Sequence, residues 1–597
     1  MTDIIKLLPE TVANQIAAGE VIQRPASAVK ELLENAVDAE STNIELYIKE
    51  SGKTMIRIVD NGLGMTPSDA RLSFARHATS KIKSAEELFS IRTKGFRGEA
   101  LASIAAISQV ELKSMKAGEE IGTQIEIEGN EFLDQRPVGM TAGTSISVKN
   151  LFYNVPARRN FLKSNPIEAR HIIDEFERVA LAHPEVAFSL NMNNIEHFRL
   201  PISNLRQRIV NIYGSNYNER LVPIAEETTL LTITGFVGKP EYSRKTRGEQ
   251  FFFVNKRYIK DGYLHHAVSN AFEELLPKDS YASYWLYIDI DPAKIDVNIH
   301  PTKTEIKFED ERSVYAIVRS AVKRSLGQYN VAPALDFERE RTFDVPHAMR
   351  YQPVQMPTVL VNPGYNPFQK ESRPIASAGW DKVYDDIRKV QLPVQDQPSS
   401  STPIDFEEFI INSKNFFQLG PYIVAKTGDN LLLIDATSAH ERIIYNQLIN
   451  KINGQAISSQ QMLFPQTIQL NSSDLQIIKE IEKEIRDFGF DISEFGLNTY
   501  VLNAAPVGIP SGREKGILED IIEQYKNNSS ELSSGIAEKL AHSMSKSMAV
   551  RRGDQLSEEE IQSLIQELMK SDKKDRGIDG KPCMKVLKTT DLSDYFK

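Results

Sequence analysis

The sequence predicts an α+β chain of several domains, and three observations carry that reading. Its 597 residues exceed what one hydrophobic core organises, so about three or four folded units are expected. Over residues 331–405 the periodicity disappears and ten of the 28 prolines collect, ending in QDQPSSSTP. On both sides of that stretch, helical spacings alternate with period-two strand patterns.

In chain order, RPASAVKELLENAVDA places Pro25 at a helix start and spaces Val29, Leu32, Leu33, Ala36 and Val37 for burial on one face. IELYIKESGKTMIRIVD reads as a hairpin, with Ile44, Leu46 and Ile48 alternating in one strand and Ile56 and Ile58 in the next. This is the pattern of an α/β sandwich over residues 1–215. A second block, 216–330, has the strands QFFFVN and YWLYIDID around a helix near LHHAVSNAFEELL, and is expected to form a separate βαβ-containing domain. The Pro- and Ser-rich stretch 331–405 buries too little apolar surface to offset its ordering entropy and is expected to be a flexible linker. Beyond it, in 406–597, YIVAK and LLLID form a hairpin across TGDN, and an amphipathic helix over 473–488 puts Leu475, Ile478, Ile485 and Phe488 on one side. A smaller lobe inserted at about 470–545 is expected there.

Composition removes several classes of function. Hydrophobic residues are 41% and charged residues 25%, and no apolar run approaches the roughly 18 residues of a membrane span. The start, MTDIIKLLPE, lacks a basic segment followed by a long apolar one, so a cytosolic protein is expected. Cys583 is the single cysteine, which excludes an intrachain disulfide and any CxxC motif. A net charge of -10 argues against coating DNA by bulk charge and leaves local basic patches as the place to look.

Four stretches bear on chemistry. SGKT at 51–54 is not a Walker A loop, because the position five before Gly52 is Tyr47 and not glycine; a hairpin turn is expected. Glu31, Asn35 and Asp38 stand at i, i+4 and i+7, on one helix face; alone they fit a solvated stripe as well as a site. VDNGLGM at 59–65 ends a strand on Asp60, and Gly62 and Gly64 would let backbone approach a ligand without a Cβ in the way. In TKGFRGEAL at 93–101, Gly95 and Gly98 flank Arg97 just before a helix, whose free N–H groups suit phosphate. ARHATSKI at 75–82 supplies Thr79, Ser80 and Lys81 as further donors.

In this order and spacing the set resembles the GHKL, or Bergerat, ATPase fold. More narrowly, NQIAAGEVIQRPASAVKELLENAVDA, GFRGEAL and LFYNVPARRNFL resemble the MutL mismatch-repair family over residues 1 to about 330. The resemblance implies a slow, Mg²⁺-dependent ATPase in which Glu31 acts as general base or orients the attacking water, and Asn35 ligates Mg²⁺. It implies further that Asp60 accepts from the adenine amino group with the support of Thr144, and that Asp38, Gly62 and Gly64 complete that pocket. The segments Thr79, Ser80, Lys81 and Gly95, Phe96, Arg97, Gly98 would form a lid over the phosphates. Lys303, in DVNIHPTKTEIKF, would reach the γ-phosphate from a second domain of ribosomal-protein-like type.

Two further expectations concern surfaces. Arg244, Lys245, Arg247, Lys256, Arg257 and Lys260 form a basic run broken only by Glu249, and Arg158, Arg159 and Lys163 form a second cluster. Such clusters either are ordinary solvated surface or bind DNA phosphates without reading sequence. QQMLFP at 460–465 lies where related chains carry a sliding-clamp-binding peptide through Gln460, Leu463 and Phe464; a buried strand accounts for Leu463 and Phe464 equally well.

The end of the chain resembles the family's α/β C-terminal dimerisation domain, implying a homodimer. Nuclease-competent relatives carry DQHA-x-x-E-R-x-x-x-E there. In LLLIDATSAHERIIYN, Asp435, Glu441 and Arg442 fit, but Thr437 stands for the histidine and Asn446 for the final glutamate; His440 falls between motif positions. Asp435 and Glu441 are therefore a degenerate metal-site remnant, with Asp579 in GIDGKP as a further oxygen ligand. The alternative is structural: Ser438 and Glu441 would form a capping box opening a helix. The whole reading is an ATP-driven dimeric matchmaker joining a MutS mismatch-recognition protein to incision and unwinding factors, with a latent nicking endonuclease as the alternative.

Overall fold

The structure is a computed structural model and describes residues 10–81, 94–95, 98–273, 275–277, 280–296, 305–329, 416–427, 430–452, 458–496, 498–507, 509, 512–528, 536–571 and 573–588. Residues Met1–Ala332 and Phe416–Lys597 belong to one compact unit. The stretch read as a linker lies outside the described residues.

An eight-stranded sheet forms the first layer, in the order Glu131–Val138, Gly122–Glu128, Gln109–Met115, Gly143–Lys149, Met55–Asp60, Asn43–Lys49, Ala187–Met192, Ile195–Leu200. The hairpin read from the sequence sits near its centre: Leu46 pairs with Ile58 and Ile48 with Ile56, and all four are buried. SGKT lies where the two strands connect, with Ser51 and Gly52 at positive φ. The helices Pro25–Asp38, Ala100–Ala106 and Asn165–Ala182 pack their apolar stripes on this sheet. In the first of them Pro25 fixes the start, and Val29, Leu32, Leu33 and Ala36 are buried while Val37 is half-buried. Each fully buried Val or Leu contributes about 1.5–3 kcal/mol to docking, so the helix carrying Glu31, Asn35 and Asp38 is held rigidly by its other face.

A five-stranded sheet follows, in the order Arg257–Ile259, Gln250–Val254, Tyr284–Ile290, Leu231–Gly238, Leu221–Glu227. Gln250–Val254 and Tyr284–Ile290 run parallel, joined through Arg257–Ile259 and the Gly262–Ala271 helix, which is the βαβ connection expected there. Asp261 caps that helix, its Oδ1 accepting from the N–H groups of Tyr263 and Leu264.

After residue 415, Phe416–Leu419, Tyr422–Thr427, Asn430–Asp435 and Met584–Leu587 form a four-stranded sheet. The chain leaves it after Asp435 and returns only at Met584. Between those points it builds the three-stranded sheet Ser459–Gln469, Thr499–Pro506, Asp491–Glu494 and the helices Ser472–Asp487, Glu514–Asn528 and Ile536–Met548 around a core of its own. No helix among the described residues is long and apolar enough to cross a membrane.

Candidate active site

The three polar residues of the Pro25–Asp38 helix face one recess, and the structure brings Lys81, Lys94 and Gly95 to it. Lys81 Nζ lies 2.8 Å from Asn35 Oδ1 and 2.6 Å from Asp38 Oδ2. The backbone N–H of Lys94 donates to Asp38 Oδ1 at 3.1 Å and that of Gly95 to Asp38 Oδ2 at 3.2 Å. Asp38 is therefore the anchor on which these two segments converge. Glu31, one turn before Asn35, is half-buried and takes no side-chain hydrogen bond from the described residues.

At the other end of the recess, Asp60 closes its strand opposite Thr144. Its Oδ1 accepts from the Gly62 N–H at 2.9 Å and from Ser41 Oγ at 3.2 Å. Burial nevertheless pushes the Asp60 carboxyl up, outweighing those bonds and the one from the Thr144 backbone. A donor amino group delivered by a ligand would offset that penalty. The Thr144 hydroxyl is engaged elsewhere, 3.0 Å from Ser114 Oγ, so its support to Asp60 comes from backbone.

The glycines also have a packing role within the protein. Gly64 has φ +66, and a Cβ there would lie 2.0 Å from the Met115 carbonyl oxygen; at Gly98, φ +61, it would lie 2.4 Å from that of Ala78. The close approach is made by the protein's own strand and loop, and Gly62 is likewise crowded by Ala39 and Ser41. Thr79 and Ser80 are exposed, and Thr79 Oγ1 accepts from the Lys81 N–H at 3.1 Å. Phe96, Arg97 and Lys303 lie outside the described residues.

Lys94 was missed in the sequence, though it stands next to Gly95. Besides its amide bond to Asp38, its ammonium donates to the Lys256 carbonyl, and Arg257 Nη2 donates to the Lys94 carbonyl at 3.2 Å. It ties this segment to the turn of the second sheet. Burial first, and the Arg257 charge next, pull its ammonium down to about 8. A cavity opens beside it, lined by Lys30, Glu34, Arg178 and Tyr258 among others.

The basic clusters divide into structural and exposed members. Arg158 donates to the Ile22 carbonyl at 3.0 Å and lies over Gly19, so it holds the end of the Glu10–Val21 helix and is not a free surface cation. Arg244 is half-buried and turned inward against Glu249 at 3.1 Å and Tyr217, correcting its reading as open surface. Glu249, the lone acid of that run, also accepts from Tyr217 Oη and Ser283 Oγ. Lys256 pairs with Glu185 at 2.8 Å, and the Lys163 N–H bonds Glu168. Arg159 and Lys260 are exposed.

In the C-terminal part, Asp435 itself caps the Ala436–Ile452 helix, its Oδ1 accepting from the Ser438 N–H at 3.0 Å. The expected Ser438–Glu441 capping box is replaced, because an aspartate at the strand end already satisfies that amide. Glu441 has its carboxyl pushed up chiefly by burial, against the pull of Lys546 and with the charges of Asp579 and Asp435 adding to the rise. Lys546 pairs with Asp579 at 3.1 Å and His542 Nε2 is 3.2 Å from the same oxygen. No group of three or more metal-ligating side chains is set around one point among the described residues. His440 Nδ1 accepts from the Val550 N–H, and Arg442 holds the carbonyls of Arg576 and Gly577; both are structural. Leu463 and Phe464 are not buried: they stand 94% and 84% exposed where the strand bulges between Gln461 and Gln466, beside an exposed Gln460.

Three family models match the chain: "Histidine kinase-, DNA gyrase B-, and HSP90-like ATPase" over residues 23–151, "DNA mismatch repair protein, C-terminal domain" over 209–327 and "MutL C terminal dimerisation domain" over 418–556. Among curated proteins, the DNA mismatch repair protein MutL of Christiangramia forsetii is 47% identical over 591 residues, covering 95% of each chain. That of Flavobacterium psychrophilum is 46% identical over 586 residues, again 95% of each. The ADP complex of the Aquifex aeolicus MutL ATPase domain is 30% identical, covering 46% of this chain and 94% of that one with a TM-score of 0.36.

Proposed function

Since this chain belongs to the MutL family of DNA mismatch repair proteins, we propose that it is an ATP-driven matchmaker coupling mismatch recognition by a MutS protein to incision and excision. The observation that carries the ATP-dependent part is the convergence of Lys81 and the Lys94 and Gly95 amides on Asp38, with Lys81 also donating to Asn35. Phosphoryl transfer needs positioning and charge stabilisation more than covalent chemistry, and this is an array built to supply both.

The residues divide the work. Glu31 accepts the proton of the attacking water or orients it, from a carboxylate one turn away from Asn35. Asp60 takes the adenine amino group. Asn35 and Asp38 are hard oxygen donors already holding a cation, the Lys81 ammonium, which supports their fitness for Mg²⁺. Bound at Asn35, Mg²⁺ would neutralise charge on the phosphates. Lys81 and, from the second domain, Lys303 would bind phosphate oxygens, with Thr79, Ser80 and the Gly95 to Gly98 loop covering them.

Closing the lid draws on Lys94, which is bonded both to Asp38 and to the turn bearing Lys256 and Arg257. Nucleotide state is thereby coupled to a basic surface, with Arg159, Lys163, Lys256, Arg257 and Lys260 offered to a DNA backbone without sequence preference. The C-terminal part supports a homodimer. The two exposed apolar side chains Leu463 and Phe464 on their bulge support docking of a sliding clamp. A repair helicase and a separate incision endonuclease are the downstream partners of this reading, which places the protein in the bacterial cytosol and, during repair, at the nucleoid.

The test is retention of the chain on immobilised duplexes preloaded with the MutS protein of the same organism. ATP-dependent retention on a mismatched duplex, absent on the matched one, is expected. Equal retention on both overturns the matchmaker reading.

A further inference from the structure

The basic run of the second sheet is met by an acidic helix from the far end of the chain. Lys245 Nζ lies 3.1 Å from Asp520 Oδ2, and the Arg247 N–H donates to Glu523 Oε2 at 2.9 Å. Lys526, on the same helix, donates to the Arg247 carbonyl at 2.8 Å. Glu519, one residue before Asp520, feels the charges of Arg244 and Lys245. On this helix, Glu514–Asn528, Glu519, Asp520 and Glu523 stand at i, i+1 and i+4, so they present a short row of carboxylates to one strip of surface.

The contact is built and not a single chance pair. Around it, Arg244 Nη1 donates to the Gln469 carbonyl at 3.3 Å, Arg220 Nη2 to Gln469 Oε1 at 2.9 Å and Arg170 Nε to Ser473 Oγ at 2.9 Å. The fit is close as well as polar. A Cβ at Gly516 would lie 2.7 Å from Lys245 Nζ, and one at Gly248 would lie 2.7 Å from Asn471 Nδ2. Cationic side chains on one surface therefore face carboxylate and carbonyl oxygens on the other across several turns.

We propose that the acidic face of the Glu514–Asn528 helix is an internal competitor for DNA: its carboxylates occupy the Lys245–Arg247 strip and must withdraw before a phosphate backbone can lie there. The proposal rests on the reading of the basic surface as a DNA site. Carboxylates and phosphates compete for the same cations by the same charge-assisted bonds, so the two occupants exclude each other. Strength follows: the ion pair of the contact, Lys245–Asp520, is partly exposed on both sides, so it is weak enough to yield to a polyanion and strong enough to lower its apparent affinity. The lobe then opens as DNA binds, and by linkage anything that opens the lobe tightens DNA binding.

Zero-length carbodiimide coupling of the full, nucleotide-free chain at low salt tests it, with peptide mass spectrometry as the readout and a plain duplex oligonucleotide as the probe. A Lys245–Asp520 isopeptide should form and should disappear as duplex saturates the protein. The double variant Asp520→Asn with Glu523→Gln should bind that duplex about tenfold more tightly, the scale of the released Lys245–Asp520 pair together with the weakened Glu523 bond to the Arg247 amide. Absence of the cross-link, its persistence at saturating duplex, or unchanged duplex affinity in the double variant would overturn the competition. Failure of the wild-type chain and the variant alike to bind duplex overturns instead the DNA reading beneath it.

Discussion

The Lys81 ammonium lies 2.6 Å from Asp38 Oδ2, and both side chains are mostly buried. A cation from the chain thus sits among the oxygens that the account assigns to nucleotide and metal. Asp38 also receives the amides of Lys94 and Gly95, so a change at this one residue reaches both lid segments.

Replacing Asp38 by Asn keeps the shape and removes the charge. The affinity for a non-hydrolysable ATP analogue should fall about tenfold, the scale of one charge-assisted hydrogen bond. Amide exchange at residues 94–95 should quicken in the same variant. An unchanged affinity with unchanged exchange would remove Asp38 as the lid anchor.

The bulge at Leu463 and Phe464 makes the opposite kind of prediction, an effect on partners without an effect on folding. Gln460→Ala with Phe464→Ala should abolish retention by a sliding-clamp column while shifting stability by less than about 0.5 kcal/mol, as exposed positions do. Full retention by the clamp column in that double variant would remove the clamp reading.

Glu177 is buried in the core beneath the second sheet, accepting from Tyr213 Oη at 3.3 Å, while its Oε1 has no hydrogen-bond partner. Burial first, and the Asp174 charge next, raise its carboxyl well above the usual range. A raised folded value contributes stability that is complete below the unfolded carboxylate range, near 4.3, and is lost as pH rises through the folded value. Glu177→Gln keeps the donor-acceptor shape without the titration. Its Tm by scanning calorimetry should exceed the parent's at pH 8 by about 2–4 °C, roughly 1 kcal/mol, and the gap should close toward pH 5. A variant less stable at both pH values would contradict the assignment.

Much of this was legible in the sequence, for identifiable reasons. The Pro25–Asp38 helix and the hairpin through Leu46 and Ile58 follow from periodicity, which local burial enforces. Asn35 and Asp38 could be placed on one face because helix geometry fixes that spacing. What was not legible depends on contacts far apart in the chain. Nothing in TKGFRGEAL shows that Lys94 reaches the turn at Lys256, 162 residues on. Nothing in the basic run shows that Arg244 is taken inward by Glu249, although the lone acid among cations was the available signal. Capping misled at Ser438, where two local solutions compete and the strand-end Asp435 wins. At Leu463 and Phe464 the apolar residues suited either a buried strand or a presented bulge, and only the register break between Gln461 and Gln466 decides.

The most direct test of the central claim is phosphate release by the Glu31→Ala chain, measured beside equilibrium binding of ATP. The account predicts turnover lost by about 10²-fold or more, as for removal of a general base, with ATP still bound at near-parental affinity because Glu31 is not among the groups converging on Asp38. Parental turnover in that variant would contradict the assignment of this recess as the catalytic ATPase site.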